Sequence, residues 1–307
     1  MTARVSFADR LRRLGRALMW LVAFAVVGTG GAFVIAGTLV LAQVSPADEQ
    51  SPWALAANAL ALALSFGFAT WLVGVRLTKH SWDQLGWRPG RPAWPGRAGA
   101  IGAVGAGGIT LVRGGTLGAG MAVLAIGLAV VGSGASVELT PDWSHWAAQA
   151  GPVACALLVA ALWEELVFRG LPLRLLADAV GSVGAMLVLA LGFGIAHVKN
   201  PHAGFFGTVN VGLAAIWLSF AFFSAGGMAL AWGLHFGWNA GLALLFDAPV
   251  SGYTFHVPAV EYRPGVRAWV DGGAFGPEGG LVATIALVAG TLAVLGRRVR
   301  RPGEWLA

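Results

Sequence analysis

The sequence has 307 residues, of which 57% are hydrophobic and only 11% are charged. Soluble globular proteins have about 25% charged residues, so this composition excludes an ordinary soluble domain. The net charge of +6 arises from 20 Lys and Arg against 14 Asp and Glu. These basic residues flank apolar runs, which indicates orientation in a membrane and not nucleic-acid binding. The single cysteine, Cys155, lies inside an apolar run and excludes a disulfide framework or a thiolate metal cluster.

Eight apolar runs predict membrane-spanning helices, because a span needs about 20 mostly apolar residues. They lie at 19–42, 53–75, 115–137, 150–170, 182–198, 205–224, 226–246 and 279–296. The first run is too long for the apolar region of a cleaved signal peptide, which favours an uncleaved span. A Gly- and Ala-rich run at 98–112 ends at Arg113. We expect this run to lie at the membrane surface or to re-enter the membrane without spanning it.

The basic residues orient the predicted spans. With eight spans and a cytoplasmic N-terminus, Lys199, Arg263 and Arg267 are the basic residues left on the outer side. A ninth span at 98–112 would move the basic cluster at 297–301 outside, against the tendency of Lys and Arg to remain inside. The sequence therefore predicts an all-α, polytopic transmembrane bundle of about eight spans with both termini cytoplasmic.

Charged residues near the end of the fourth run form the first candidate motif. Charged side chains within a span cost at least about 2.5–3.5 kcal/mol, so they are functional candidates. Glu165 and Arg169 are four residues apart and share a helix face, where they can pair. Glu164 points about 100° away from Glu165 and stays free for chemistry. The structural alternative is a charged helix end that faces the cytoplasm.

Two further motifs place histidines on apolar helices. Phe193 and His197 share one helix face, and so do His235 and Asn239 in the middle of the run at 226–246. His197 can alternatively be a polar helix end. His235 and Asn239 can alternatively form an interhelical hydrogen bond, the ordinary use of such residues in membranes.

Taken together, these side chains are what peptide hydrolysis requires. A carboxylate or an imidazole takes a proton from water. A histidine and an asparagine can donate hydrogen bonds to the oxyanion of a tetrahedral intermediate. Glu164, His197 and His235 can alternatively hold zinc, which accepts such ligands, but the H-E-x-x-H spacing of common zinc proteases is absent. The sequence therefore favours no metal or other cofactor, with zinc as the alternative.

At these residues the sequence resembles the type II CAAX prenyl endopeptidases and their bacterial CPBP relatives (also called the Abi family). The family pattern is E-E-x-x-x-R, F-x-x-x-H and H-x-x-x-N, which here reads Glu164-Glu165-Leu-Val-Phe-Arg169, Phe193-Gly-Ile-Ala-His197 and His235-Phe-Gly-Trp-Asn239. The segment Trp82-Asp-Gln-Leu-Gly86 resembles a short element that precedes the family core. The resemblance divides the chain into an N-terminal basic segment with a helix pair (1–81), a catalytic core (82–246), and an external loop, last span and basic C-terminus (247–307).

The resemblance implies an intramembrane endopeptidase that cleaves a membrane-embedded or lipid-modified peptide. Glu164 would activate water with help from His197, and His235 and Asn239 would stabilise the oxyanion. Glu165 and Arg169 would hold the site together, beside the motif residue Phe193. A glutamic-type enzyme is favoured over a metalloprotease. The expected partners are the lipid bilayer and a peptide or protein substrate, without nucleic acid, and the expected location is a bacterial plasma membrane.

Two other functions use the same polar residues. A transporter would use them as a relay, although the chain shows no repeated halves of the kind common in transporters. A non-catalytic immunity or scaffold protein would retain them structurally.

One geometric difficulty follows from the predicted spans. Glu164 would lie near the inner end of its helix and His197 near the outer end of the next, roughly 15 Å apart at 1.5 Å per residue. Either the Glu164 helix continues past Arg169 towards Leu176, which would place Glu164 near mid-membrane, or the helices tilt strongly. We expect the continuation.

Overall fold

A computed structural model describes residues 7–42, 51–87, 100–139, 142–257 and 260–296, which form a helical bundle. The helices are α1 (Phe7–Leu41), α2 (Pro52–Ala69), α3 (Ala100–Ser133), α4 (Trp143–Phe168), α5 (Leu171–Val180), α6 (Ser182–Ala196), α7 (Phe205–Phe222), α8 (Gly227–Ala240), α9 (Ala268–Asp271) and α10 (Leu281–Gly296). Turns of π-helix extend α2 through Thr70–Leu77 and α8 through Gly241–Leu245. Both termini and the basic cluster at 297–301, on which the predicted orientation depends, lie outside the described residues.

Among the described residues, five helical segments are long and apolar enough to cross a membrane. They are Ala8–Leu41, Pro52–Leu77, Gly107–Ser133, Trp143–Val180 and Phe205–Phe222. The apolar helices α6 and α10 are shorter. Large apolar side chains such as Phe33, Val131 and Leu191 are exposed on the outside of the bundle, where only lipid would solvate them well. The chain is therefore an integral membrane protein with the predicted class of fold, a helical membrane bundle.

The run at 98–112 is not the separate surface or re-entrant piece that the sequence suggested. From Ala100 onwards it is the first part of α3, which continues unbroken to Ser133. Beyond this run, glycines of α3 allow the helix to approach the backbone of α8 closely: a Cβ atom on Gly118 would lie 2.2 Å from the Leu234 oxygen. On the facing helix, a Cβ atom on Gly237 would lie 2.0 Å from the Gly115 oxygen. The small residues thus serve helix packing within a membrane protein, and this contact fixes α8.

Helix α4 does not continue past Arg169 as predicted. It ends at Phe168, and the N–H groups of Arg169 and Gly170 both donate to the Glu165 carbonyl oxygen, at 2.8 and 2.9 Å. A separate helix, α5, then begins at Leu171. Pro172 occupies the first turn of α5, where its missing N–H leaves no intrahelical hydrogen bond unmade. The chain therefore remains helical towards Leu176, but with a break directly after the Glu-Glu motif.

The start of α4 is set by a side-chain cap. The Asp142 carboxylate accepts a hydrogen bond from the His145 N–H at 3.0 Å, and this bond lowers the pKa of the Asp142 carboxyl. Such a cap satisfies one of the N–H groups that a helix leaves unpaired at its beginning. It defines the start of the helix that carries Glu164 and Glu165.

The segment at 247–280, here named the cap segment, forms a short strand and short helices in its described residues (247–257 and 260–280), whereas the sequence suggested a loop. Its strand β2 (Val260–Arg263) pairs antiparallel with β1 (Ser136–Leu139), so that Val137 lies opposite Tyr262. The buried Asp271 carboxylate accepts hydrogen bonds from the N–H groups of Gly265 and Gly273, at 2.6 and 3.0 Å. These bonds fix the fold of the cap segment, and Arg267 Nη1 joins it to α3 by donating to the Gly132 oxygen at 3.1 Å.

Candidate active site

Glu165 and Arg169 form an ion pair at the centre of the bundle. Arg169 Nη1 lies 3.0 Å from Glu165 Oε1, and the two side chains are 1% and 0% exposed. The guanidinium also stands over the Phe193 ring, 4.4 Å from its centroid. A buried pair is stable only when its other polar atoms find partners, because desolvation of both charges is costly. Phe193 contacts the guanidinium through its ring face and His235 binds Glu165 Oε1, whereas Glu165 Oε2 and Arg169 Nη2 have no hydrogen-bond partner among the described residues.

His235 is oriented by this ion pair. Its Nδ1 lies 2.9 Å from Glu165 Oε1, and because a carboxylate only accepts, Nδ1 carries the hydrogen. The opposite nitrogen, Nε2, faces Glu164 Oε2 at 3.8 Å. Glu165 therefore fixes both the tautomer and the direction of the His235 ring, as a carboxylate behind a functional imidazole commonly does.

His197 is oriented by its own helix. It follows the last residue of α6, and its Nδ1 lies 2.8 Å from the carbonyl oxygen of Phe193. Because a carbonyl also only accepts, this nitrogen donates, and Nε2 remains as the acceptor of the neutral ring. Nε2 lies 3.9 Å from Glu164 Oε2.

Glu164 Oε2 is therefore the point on which the two rings converge. This oxygen is buried and has no hydrogen-bond partner among the described residues. At 3.8 and 3.9 Å, the two ring nitrogens are too far away for direct hydrogen bonds. A water or a substrate oxygen can lie within about 2.8 Å of Glu164 and of an imidazole at this spacing. The roughly 15 Å separation that the predicted spans implied is wrong, because the break after α4 and the position of α6 bring the two groups together.

The side chains of Glu164, His197 and His235 line one cavity of about 350 Å³. Asn239 lies on it, one helical turn from His235 on α8. Much of the remaining lining is aromatic, contributed by Trp163, Phe168, Phe193, Trp217, Trp238, Tyr253 and Phe255. Such a cavity presents a few polar groups within apolar walls, which is the usual composition of a binding site for an organic ligand.

Sequence reasoning missed the part of the cavity that the cap segment contributes. Ser251 and Glu278 line the cavity, yet both belong to a stretch that the sequence suggested was an external loop. A carboxylate directly before the apolar run at 279–296 was the available signal, because an ionisable residue at a membrane edge is expensive to bury and is often functional.

The alternative zinc ligands do not meet closely enough to fit a metal ion. Zinc bonds of about 2.0–2.2 Å would bring tetrahedral ligand atoms to about 3.4 Å from one another. Glu164 Oε2 instead lies 3.9 Å from His197 Nε2 and 3.8 Å from His235 Nε2. Within the described ranges, no three His, Cys, Asp or Glu side chains are grouped so that they could hold a metal. We therefore derive no step through a metal.

The fold and the cavity define a helical integral membrane protein with a buried carboxylate–imidazole site. Residues 146–241 match the family model described as Type II CAAX prenyl endopeptidase Rce1-like. The match covers most of α4, all of α5 to α8 and the three motifs, and it names the family that the motifs predicted. Comparison with curated proteins found no match, and neither did comparison with solved structures.

The family match does not reach the Trp82–Gly86 segment, which the sequence resemblance included. The structure nevertheless connects this segment to the matched region, because the Gly86 oxygen accepts a hydrogen bond from Met228 N at 2.8 Å. Gly86 has a φ of +79° and a Cβ atom there would lie 2.7 Å from the Phe222 ring. Only glycine fits this backbone position without strain.

Proposed function

We propose that this protein is an intramembrane endopeptidase of glutamic type, which hydrolyses a peptide bond in a membrane-embedded or lipid-modified peptide. The observation that carries the proposal is the convergence of His197 Nε2 and His235 Nε2 on Glu164 Oε2, at 3.9 and 3.8 Å. The family match at 146–241 supports endopeptidase chemistry. The composition, rich in Gly, Ala, Arg and Trp, is compatible with a bacterial plasma membrane.

In the proposed reaction, Glu164 and His197 activate a water molecule. Glu164 accepts one proton from the water, and the acceptor nitrogen of His197 orients it by a hydrogen bond. The resulting hydroxide oxygen forms a bond to the carbonyl carbon, and the π-electrons of the carbonyl move onto its oxygen. The proton held by Glu164 then passes to the leaving nitrogen as the C–N bond breaks, which restores the carboxylate.

His235 and Asn239 stabilise the oxyanion of the intermediate. The Asn239 amide donates directly. His235 donates from Nε2 when its ring carries both hydrogens. Donors held in place in a dry cavity contribute strongly to such reactions, because they need no reorganisation when the charge develops.

The substrate class follows from the cavity walls. Aromatic rings surround the polar groups, which favours an apolar segment or a lipid-modified side chain beside the scissile bond. The cavity does not single out a prenyl group.

The test compares Glu164→Gln with wild type in proteoliposomes. Two probes are used: a prenylated peptide that ends in a CAAX sequence and an internally quenched peptide with an apolar membrane-spanning segment. We expect Glu164→Gln to lower the cleavage rate by at least about 100-fold, because it removes the base. Glu261→Gln is the matched control, since the Glu261 side chain on β2 is 38% exposed and pairs with Arg263. Equal rates for Glu164→Gln and wild type would refute the proposal.

A further inference from the structure

Another buried carboxylate, Glu278, lines the same cavity although it is remote from the family motifs in sequence. It lies in the cap segment, outside the matched residues 146–241, and is 8% exposed. The mechanism above does not use it. Its neighbours nevertheless belong to the elements that carry the site.

Each oxygen of the Glu278 carboxylate contacts a different element. Oε1 accepts a hydrogen bond from Trp238 Nε1 at 2.8 Å. Oε2 accepts one from the Ser251 hydroxyl at 2.9 Å and another, short bond from the Ser251 N–H. One side-chain carboxyl group thus accepts hydrogen bonds from three donors.

Glu278 is itself held by the bundle. The Asn210 amide on α7 donates to the backbone oxygens of Glu278 and Gly280, at 2.9 and 2.8 Å. The hydroxyl of Thr284 on α10 donates to the Asn210 oxygen at 2.7 Å. Two helices therefore fix the backbone from which the carboxylate extends.

Through Trp238 and Ser251, Glu278 is connected both to the site residues of α8 and to His197. Trp238 directly precedes Asn239 on α8, which also carries His235. Ser251 accepts a hydrogen bond from Asn200 Nδ2 at 3.1 Å through its backbone oxygen. The Asn200 N–H in turn donates to the His197 oxygen at 3.1 Å. One carboxylate thereby connects the α8 residues with the turn that follows His197.

We propose that Glu278 is a positioning residue of the active site, which sets α8 and the turn after His197 relative to each other. This inference rests on the proposed peptidase function. Displacement of a reacting group by about 1 Å can lower a rate about 100-fold. Loss of the three bonds to Glu278 should therefore lower kcat although Glu278 makes no contact with the reacting atoms.

Glu278→Gln is the sharpest single change, because glutamine has the same size but only one acceptor oxygen. In either orientation of the amide, its NH₂ group faces the Trp238 N–H or the Ser251 N–H, donor against donor. We expect kcat to fall by about 10- to 100-fold while KM changes less than about threefold. Glu261→Gln, the same substitution elsewhere in the cap segment, should keep the wild-type kcat.

Trp238→Phe tests the hydrogen bond between Glu278 and α8, because it removes the Trp238 Nε1–H donor and keeps an aromatic ring. If Glu278 acts through Trp238, the double variant Glu278→Gln/Trp238→Phe should be no slower than about the slower single variant, because both changes break one contact. A purely structural role predicts instead an unchanged kcat per folded molecule. All rates are measured in proteoliposomes on the probe that wild type cleaves, well below each variant's unfolding temperature.

The proposal is overturned if folded Glu278→Gln has the wild-type kcat, if only its KM rises, or if the two single effects multiply. Should Glu278→Gln fail to fold, Trp238→Phe and Ser251→Ala decide the question: a lower kcat in both supports positioning, and a wild-type kcat in either overturns it. Failure of the peptidase function is a different result, because wild type would then be inactive or Glu164→Gln fully active.

Discussion

Arg169 and Glu165 form a fully buried ion pair, with Arg169 Nη1 3.0 Å from Glu165 Oε1. The same carboxylate oxygen lies 2.9 Å from His235 Nδ1. The ion pair and the candidate catalytic imidazole of His235 therefore share one carboxylate oxygen. The Glu165 carboxylate therefore both neutralises the charge of Arg169 and orients the His235 ring.

Replacement of Arg169 by Gln should destabilise the protein strongly. It leaves Glu165 buried without its cation, and loss of one partner of a buried pair costs about 3–5 kcal/mol. Arg174→Gln is the matched control, because Arg174 pairs with Asp178 in a solvent-accessible position at 2.8 Å and such pairs contribute about 0–1 kcal/mol. Denaturant titration in detergent measures the free energy of unfolding of both variants. Equal losses for the two variants would contradict the central role of the Arg169 pair.

The two histidines should differ in their effect on stability. His235→Ala removes a buried hydrogen bond to Glu165 and should lower the free energy of unfolding by about 1–3 kcal/mol. His197→Ala removes a bond to a backbone oxygen at a helix end and should cost less than about 1 kcal/mol. Both should lower kcat by about 10²- to 10⁴-fold. Thermal unfolding and cleavage assays on each variant separate the two effects, and a larger stability loss in His197→Ala would count against the described orientation.

The close contact between α3 and α8 should not tolerate a methyl group. In Gly237→Ala the new Cβ atom would lie 2.0 Å from the Gly115 oxygen. Such overpacking costs about 1–3 kcal/mol and should also lower the cleavage rate, because α8 carries His235 and Asn239. Gly120→Ala is the control on α3, where a Cβ atom meets nothing within 4 Å. If Gly237→Ala were as stable as wild type, α3 and α8 would have to lie farther apart than they do in the structure.

Activity should not depend on a resident metal if Glu164 is the base. We expect purified protein to retain its cleavage rate after prolonged treatment with a chelator. We also expect less than about 0.1 mole of zinc per mole of protein by elemental analysis, since the ligand atoms are spaced too widely for zinc bonds of about 2.0–2.2 Å. Loss of activity with the chelator, followed by recovery with zinc, would instead assign Glu164, His197 and His235 as ligands.

Asp247 gives the cap segment a pH-dependent stability. Burial raises the pKa of its carboxyl above the ordinary value of 3.8, although Oδ1 accepts a hydrogen bond from the Val257 N–H at 2.8 Å. The folded protein binds this proton more tightly than the unfolded chain does. The free energy of unfolding therefore falls as pH rises through the raised pKa of Asp247. Asn keeps the acceptor oxygen without the charge and tolerates the φ of +45°.

Asp247→Asn should therefore raise the unfolding temperature at about pH 8 more than at about pH 4, where the wild-type carboxyl is increasingly protonated. Thermal unfolding at both pH values measures the difference. An equal increase at both would assign the gain to backbone conformation alone.

The sequence determined the membrane class and the identity of the motif residues, because apolar composition and spacing of four residues are local properties. Glu165 and Arg169 share a helix face whatever surrounds the helix, and the structure contains their ion pair. The same local spacing places His235 and Asn239 on one side of α8. Most predicted spans also begin and end within a few residues of the helices in the structure.

Only the tertiary structure decided how the motifs meet and what else joins them. The break at Gly170 and the short α5 depend on a path that no periodicity encodes, and they bring Glu164 within 3.9 Å of His197. The Gly- and Ala-rich run at 98–112 suggested a surface or re-entrant piece, but from Ala100 onwards it continues into the single helix α3, which packs against α8. Glu278 is separated from Trp238 by 40 residues. Hydrogen bonds and close contacts act through space, so a sequence shows which groups are available but not which of them the folded chain places side by side.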